Sequence, residues 1–590
     1  MLSRFRPWHG LPNLRPRLLV ALGSYSLVPA VLILLDEPTS NSHPIDDLVL
    51  DAGRTHDLLL TQRSTKIGDA AAKYRTRRGR HPPPGFDKWF EYAMRHNAIV
   101  VEQFFDRIEH DIRPFWATEA RLTAYQASTW DNLVRVRDGK AYSVGDGEDR
   151  VPWLGLWASL IAEAAEFLPD VDMPINYMDE TRVLVKWEEI NELVKASELN
   201  KKITPPTETI QDFKGLDDLD IWSAYASNPE WITKGAPKYW NLTRLACAPE
   251  SPARNTPALE DYSQRPIFPS DWNPSYSQNG FVKNFTAASD PCLQPHLRGL
   301  HGTFVEQITM STTQSLIPLF SGCKLPMNNA ILIPGAMYLT DDARYSGGNS
   351  HGSPWILKKD GIVWRGVASG GRHKKENWTH FQRLRLVQML NGTTVSGVEQ
   401  RRANASTFEM PSTPYNISID HEGHIGEWLR GISDVGFVDL LCFPRDDCSY
   451  LTPYFSQVDV IPMEEQFKQK YIPDIDGNSF SARFRSLLLS TSLPLKSTIY
   501  AEWHDDRLLP WLHFVPLDNT LQDLYAVLNY FTKDKKGDTA AQYIAESGKA
   551  WSERVLRHED MLLYVWRLLL EFARVCDENR ERLGFVEDLT

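Results

Sequence analysis

Two stretches of this 590-residue chain bring together the residue types that hold phosphate. In the first, Val363-Trp-Arg-Gly-Val-Ala-Ser-Gly-Gly-Arg372, two consecutive glycines and a basic residue stand between a strand-like run and a helix-like one. Amide N–H groups exposed at such a turn, with a helix N-terminus behind them, cradle phosphate oxygens. Glycines in that position also serve simply as turn formers. The helix that follows carries Arg383 and Arg385, of which one can face the same cleft; the alternative is a solvated helix face. In the second stretch, Tyr471 to Arg485, the residues Asn478, Ser479, Phe480, Ser481, Ala482 and Arg483 precede an apolar helix. Hydroxyls, amide donors and a guanidinium can converge there on a diphosphate, and arginine suits the task because it stays charged and forks onto phosphate oxygens. On spacing alone, a helix cap by Ser479 or Ser481 with an outward-facing arginine accounts for the same residues.

Two other patterns are set aside. Asp-x-Asp triplets at Asp170–Asp172, Asp218–Asp220 and Asp474–Asp476 suggest a metal-nucleotide site, but roughly three are expected by chance in a chain this acidic. Gly348-Asn-Ser-His-Gly352 has the form of a serine-hydrolase nucleophile elbow. Such an elbow needs a buried strand before it, and Asp341-Asp-Ala-Arg-Tyr345 is not one.

The elements that position these residues come from composition and periodicity. With 42% hydrophobic and 11% aromatic residues the chain can bury two cores. A net charge of -12 argues against a nucleic-acid partner, which needs a basic face. Nineteen Trp and 21 Tyr supply flat amphipathic faces of the kind that stack on sugars and bases. Leu18 to Leu35 carries no charge, follows Arg4, Arg6, Arg15 and Arg17, and precedes Asp36 and Glu37. It reads as a short membrane span with the N-terminus cytoplasmic, the alternative being a cleaved signal peptide. Residues 1–17 are then a tail, 18–35 the anchor and 36–65 a polar stem. Six sequons, at Asn241, Asn284, Asn377, Asn391, Asn404 and Asn416, and six cysteines suit an oxidising lumen, with Cys442 and Cys448 the expected pair.

Beyond the stem, Phe86, Trp89, Phe90 and Ala93 follow a Pro-Pro-Pro-Gly entrance at helical spacing. Strand-like runs at Arg182–Lys186 and Ser315–Phe320 alternate with a helical Trp153–Phe167, interrupted by a Pro-, Asn- and Ser-rich insertion from about 249 to 295. A Gly/Ser break at Tyr345–Ser353 divides two α/β lobes, 66–345 and 346–545. The final segment, 546–590, holds a helix striped by Met561, Leu562, Val565, Trp566, Leu569 and Phe572 that must pack back on a lobe.

Three blocks together resemble glycosyltransferase family 90, the family of the fungal capsule-associated proteins and the animal protein O-glucosyltransferases. They are Tyr74–Tyr92, the Trp364-Arg-Gly366 turn, and Lys470–Arg485 continuing to Pro510–Pro516. The resemblance covers about residues 70 to 575 and is nearer the fungal, membrane-anchored branch. It implies an α/β fold of the GT-B kind, with two facing Rossmann-like lobes, acceptor on the first and nucleotide-sugar on the second, the C-terminal helix crossing back. It implies an inverting UDP-sugar-dependent glycosyltransferase, with Asp179, in Pro174-Ile-Asn-Tyr-Met-Asp179, as the base; here Glu180 and Thr181 replace a Tyr-Pro pair. Arg365, Gly366 and Asn478 to Arg483 would contact the nucleotide-sugar, and Arg372 and Arg383 compete for a second phosphate-contacting arginine. A site of arginines and amides needs no obligatory metal. The fungal branch points to xylose transferred in β-1,2 linkage to mannose of a glycan or glycoprotein, at the Golgi or endoplasmic-reticulum membrane in type II orientation. The alternatives are a protein O-glucosyl- or O-xylosyltransferase and a non-catalytic lumenal carbohydrate-binding protein.

Overall fold

The computed structural model describes residues 43–145, 153–216, 219–226, 228–233, 237–411, 421 and 423–589. The tail, the anchor, the start of the stem, Asp218 and the Asn416 sequon lie outside them. Among the described residues no helix is long and apolar enough to cross a membrane. The helices that frame the molecule are α1 (Pro44–Thr61), α2 (Phe86–Arg95), α3 (Trp153–Ala162), α4 (Gln382–Met389), α5 (Phe484–Leu489), α6 (Lys535–Val555) and α7 (His558–Val575).

In the first half, alternation of Val134 and Val136 with Arg135 and Arg137 makes strand β1 (Leu133–Arg137). Asp138 and Gly139, both at positive φ, turn it directly into β2 (Lys140–Val144) as a two-residue hairpin. β3 (Val171–Pro174) pairs antiparallel on the other side of β1, and Asp172 takes Arg135 at 2.7 Å and Arg137 at 2.6 Å. Short parallel pairings continue from Ile175 through Phe320 to Ile331. This three-stranded antiparallel sheet differs from the parallel sheet a Rossmann-like first lobe implies. Of the expected strands, Ser315–Phe320 is reduced to a pairing at Phe320–Ser321, and Arg182–Lys186 to a bridge at Val183.

The second half is a five-stranded, wholly parallel sheet built from β4 (Lys359–Val367), β5 (Ser433–Asp439), β6 (Gln469–Ile475), β7 (Leu493–Ser497) and β8 (Val515–Pro516). Its order is β5-β4-β6-β7-β8. The chain leaves β4 to one side and later returns on the other, so the order reverses between β4 and β6. Ligands of open α/β sheets lie at such a switch point, outside the carboxyl ends of the strands.

Both ends of the described chain pack on the half to which they do not belong in sequence. The C-terminal helix α7 shares a core with α2, α3 and β1, with Trp566, Leu569 and Phe572 buried among them. The Trp89 indole donates to the Leu563 carbonyl at 2.9 Å, and Arg574 donates to the His81 carbonyl and the Tyr74 hydroxyl, both at 2.7 Å. At the other end, the stretch expected as stem is, from Pro44, the helix α1. Its Ile45, Leu48 and Val49 join the second core with Tyr530 and Phe531, and Asp46 accepts from Tyr530 and Lys536.

The expected disulfide Cys442–Cys448 is present, and Cys247–Cys292 forms a second; Cys323 and Cys576 are buried thiols. Asn284 and Asn391 are exposed helix caps that use only their oxygens, so their amide nitrogens stay available, and Asn404 is exposed. Asn241 is half-buried, its oxygen held by the Ala258 amide. Asn377 corrects the sequence reading: it is buried, and its Nδ2, the atom a glycan would occupy, donates to Glu306 and to the Arg372 carbonyl at 3.3 Å each. Glycopeptide mapping of protein made in a secretory host should find glycan at Asn284, Asn391 and Asn404 and none at Asn377. Leu569→Ala, emptying a site of no exposure at the junction of α7 with the first half, should lower unfolding free energy by about 2–5 kcal/mol in urea titration.

Candidate active site at the switch point

The carboxyl ends of β4 and β6 leave backbone groups that no further strand satisfies, and side chains of the second half take them up. Arg383 on α4 donates to the carbonyls of Val367 (3.0 Å), Ile475 (3.3 Å) and Asp476 (2.9 Å) and to the Ser369 hydroxyl (2.7 Å). Gln382 donates to the Asp476 and Gly477 carbonyls and accepts from the Gly302 amide. Asn478, just past β6, accepts from the amides of Gly370 (3.0 Å) and Gly371 (3.2 Å). Those glycines have φ of +121° and +127°, and a Cβ on either would run into Gln382 or the Glu306 carbonyl, so the turn requires glycine.

Arg483 lies beside this junction. It donates to the Arg365 carbonyl at 2.8 Å, and its second terminal nitrogen is buried without a partner. The guanidiniums of Arg383 and Arg483 each lie 5.6 Å from the centre of the Trp364 ring. Burial, and next the charge of Arg483, push Arg383 down to about 9, and burial lowers Arg483 as well. All the hydrogen bonds of Arg383 run to neutral groups, so a bound anion would relieve its desolvation. The buried Ser481 hydroxyl has no partner and caps nothing, because α5 begins without a side-chain cap.

The other arginines separate. Arg365 stands on the face of β4 opposite Trp364, and its guanidinium is taken by Asp434 at 2.6 Å and the Asp459 carbonyl, so only its backbone reaches the site. Gly366 lies under the Trp364 indole. Arg372 donates to the Ile308 carbonyl, lies 3.9 Å from Glu306 and stacks on Phe443. Arg385, two residues from Arg383 and therefore across the helix, is buried against the Leu300 and Asn519 carbonyls. Of the two competitors, Arg383 is the one that sits with Arg483. Ser479 and Phe480 line a small cleft, the Phe480 ring against Tyr338, and Ala482 packs on the first core.

Asp179 stands on the opposite wall. The backbone leaves β3 through Ile175, and Asn176, with its Nδ2 on the Glu180 carbonyl, closes a loop that carries Asp179 exposed at its end. The Asn478 amide donates to Asp179 at 3.3 Å, joining the two halves. The cleft between them is lined by Tyr177, Asp179, Trp157, Cys323, Ser479 and Phe480. Neighbouring Glu180 is buried and accepts from the Thr309 amide; burial, with a smaller contribution from the Asp179 charge, pushes it up to about 7.

The Asp474–Asp476 triplet serves the framework. Asp474 accepts from Lys496 at 3.0 Å, and Asp476 from the Ile499 amide at 2.8 Å and from His301. His301 accepts the Thr303 amide on Nδ1, so its Nε2 carries the proton toward Asp476. Tyr500 donates to the Asn478 carbonyl. Gln382, His301 and Tyr500 carry no local pattern in the sequence, since their contacts here are with residues remote along the chain.

The chain is a mixed α/β protein, and the two guanidiniums meet where its parallel sheet reverses order, the place where ligands of open α/β sheets lie. Comparison with known proteins is more specific: residues 450–583 match the glycosyl transferase family 90 profile. The chain is 34% identical over 120 residues to O-glucosyltransferase rumi of Drosophila pseudoobscura pseudoobscura, covering 20% of this chain and 28% of that protein. It is 24% identical over 280 residues to human protein O-glucosyltransferase 3, covering 46% and 44%, and 28% identical over 123 residues to human protein O-glucosyltransferase 1, covering 21% and 31%. The chain thus matches less than half the length of these relatives. The matched residues, 450–583, include the Asn478–Arg483 stretch.

Glu180 yields a pH signature. Its folded-state value is raised above the ordinary 4.5, so between there and about 7 the folded state holds a proton that the unfolded state releases, and stability falls as pH rises through that window. In Glu180→Gln, melting temperature relative to the parent should climb from pH 5 to pH 8; a flat difference would contradict the assignment.

Proposed function

We propose that this chain is an inverting glycosyltransferase that holds a UDP-sugar at the β4/β6 switch point and transfers the sugar to an acceptor hydroxyl brought to Asp179. The observation that carries the reading is the Asn478 amide, whose oxygen takes the Gly370 and Gly371 amides while its nitrogen meets Asp179. It puts a carboxylate from the first half within hydrogen-bond range of the donor turn of the second. Arg383, Arg483 and the Ser481 hydroxyl would take the diphosphate. In the reaction, the acceptor oxygen bonds to the anomeric carbon from the side opposite the phosphate. The bond from that carbon to the phosphate oxygen breaks, with its electron pair leaving on UDP. The acceptor proton passes to Asp179, and the guanidiniums stabilise the charge on departing UDP.

In this reading the acceptor lies in 66–345 and the donor in 346–545, and divalent metal is not obligatory. Asp474 and Asp476 are already engaged by Lys496, His301 and the Ile499 amide, which leaves the charge of UDP to the arginines. Xylose moved in β-1,2 linkage to mannose is the donor and product favoured by resemblance to the fungal branch. A type II anchor at 18–35 and a Golgi or endoplasmic-reticulum lumen are supported by the uncharged run and by two disulfides. The names of the matched animal relatives favour a second reading, sugar transfer to protein.

A panel of UDP-sugars, with glycan and protein acceptors, separates these readings on the full-length chain. Asp179→Asn should lose about 100-fold or more in turnover while retaining UDP binding. Arg383→Ala and Arg483→Ala should each weaken UDP binding at least about tenfold. Activity should survive EDTA. Absence of UDP binding and of UDP-sugar consumption across the panel would leave only a non-catalytic carbohydrate-binding role.

A further inference from the structure

The loop that presents Asp179 has a second cleft at its other end. Pro174, the last residue of β3, lines it together with Trp130, Asp131, Tyr125, Trp231 and Asn228. The floor is apolar, with Ile317 and Leu319 packed on Val183 and Val185. The walls are two half-buried indoles, Trp130 and Trp231, with ring centres 6.0 Å apart at an interplanar angle of 57°.

These rings are held in place. The Trp130 Nε1 donates to the Ile175 carbonyl at 3.1 Å, tying the indole to the strand end that leads to Asp179. The Arg182 guanidinium stacks 3.9 Å from the centre of Trp231 and donates to the Ser311 carbonyl and hydroxyl. Indoles fixed in this way present flat faces at little further entropy cost. An apolar floor with a few polar groups at the edge suits a ligand having both apolar and hydroxyl faces. Among the described residues that line the cleft Asp131 alone is charged, so the cleft favours a ligand without negative charge. Asp179 follows Pro174 by five positions, at most about 18 Å of chain.

We infer that the Trp130–Trp231 cleft is a carbohydrate subsite that binds a neutral sugar of the acceptor glycan remote from the reacting hydroxyl. The assignment rests on the sugar-transfer reading and fixes its acceptor as an oligosaccharide. The indole faces would carry the C–H faces of a pyranose, while Asp131, Asn228 and Gln126 at the rim meet its hydroxyls. Affinity would then grow with acceptor length, since only a chain of sugars reaches both Asp179 and the indoles.

Full-length protein in detergent, titrated with manno- and gluco-oligosaccharides of increasing length while tryptophan fluorescence is followed, tests this without reference to turnover. One series should perturb the emission, with affinity rising as the chain lengthens. Trp231→Ala and Trp130→Ala should weaken the longest member at least about tenfold, with Trp231→Tyr recovering part of the loss and unchanged UDP binding reporting an intact fold. In transfer assays Trp231→Ala should raise acceptor KM for long glycans and leave hydrolysis of UDP-sugar as in the parent. Length-independent binding, Ala variants that bind the longest glycan as the parent does, or a response to peptide acceptors alone would overturn the subsite. Failure to bind UDP would instead strike the transferase reading, leaving the fluorescence result to decide the subsite by itself.

Discussion

The carboxyl ends of β4 and β6 diverge at the reversal of the sheet, and the backbone groups exposed there must find partners. The structure meets that requirement with a few long polar side chains. Arg383 spans three carbonyls and a hydroxyl, Gln382 two carbonyls and an amide, and Asn478 two amides and a carboxylate. Much else is arranged around this junction. Gly370 and Gly371 are small because Gln382 and the Glu306 carbonyl press on them, and Gly302 is small because it abuts the Gly370 carbonyl. His301 and Tyr500 hold the loop after β6 from the far side. The same contacts that satisfy the strand ends therefore fix the groups available to a ligand.

The second constraint is the exchange of the chain ends. α7 completes the core of the first half, and α1 contributes to that of the second. Each half buries apolar surface supplied by a segment remote in sequence, so loosening either terminal helix would affect a core distant from it along the chain. Charges placed in these contacts are paired, as in Glu571 with Arg567 and Arg574 and in Lys324 with Asp111. Removing one partner would leave a buried charge uncompensated, a costly loss. Arg383 contrasts with them, because its half-buried guanidinium is held by neutral groups alone at the switch point.

Local periodicity was sufficient for several elements. The spacing of Phe86, Trp89, Phe90 and Ala93 marks α2, and the stripe from Met561 to Phe572 marks α7 and requires a partner for it, because the 3.6-residue repeat is a property of the chain itself. Cys442 and Cys448 close a short loop for the same local reason. The stretch from Asn478 to Arg483 stood out by residue type, and it lies within the residues that match the glycosyl transferase family 90 profile.

Tertiary structure decided the rest, because direction and partnership are not written in spacing. Alternation along β4 turns the Arg365 side chain to the face opposite Trp364, so an arginine inside the recognisable motif pairs with Asp434. Two positions on α4 separate Arg383, at the junction, from Arg385, buried against the Leu300 and Asn519 carbonyls. Polar composition suggested a stem where Ile45, Leu48 and Val49 in fact dock α1, since three well-placed apolar residues suffice once a groove exists to receive them. Asp179 was marked only by the resemblance of Pro174–Asp179, and its place opposite Asn478 follows from the packing of the two halves.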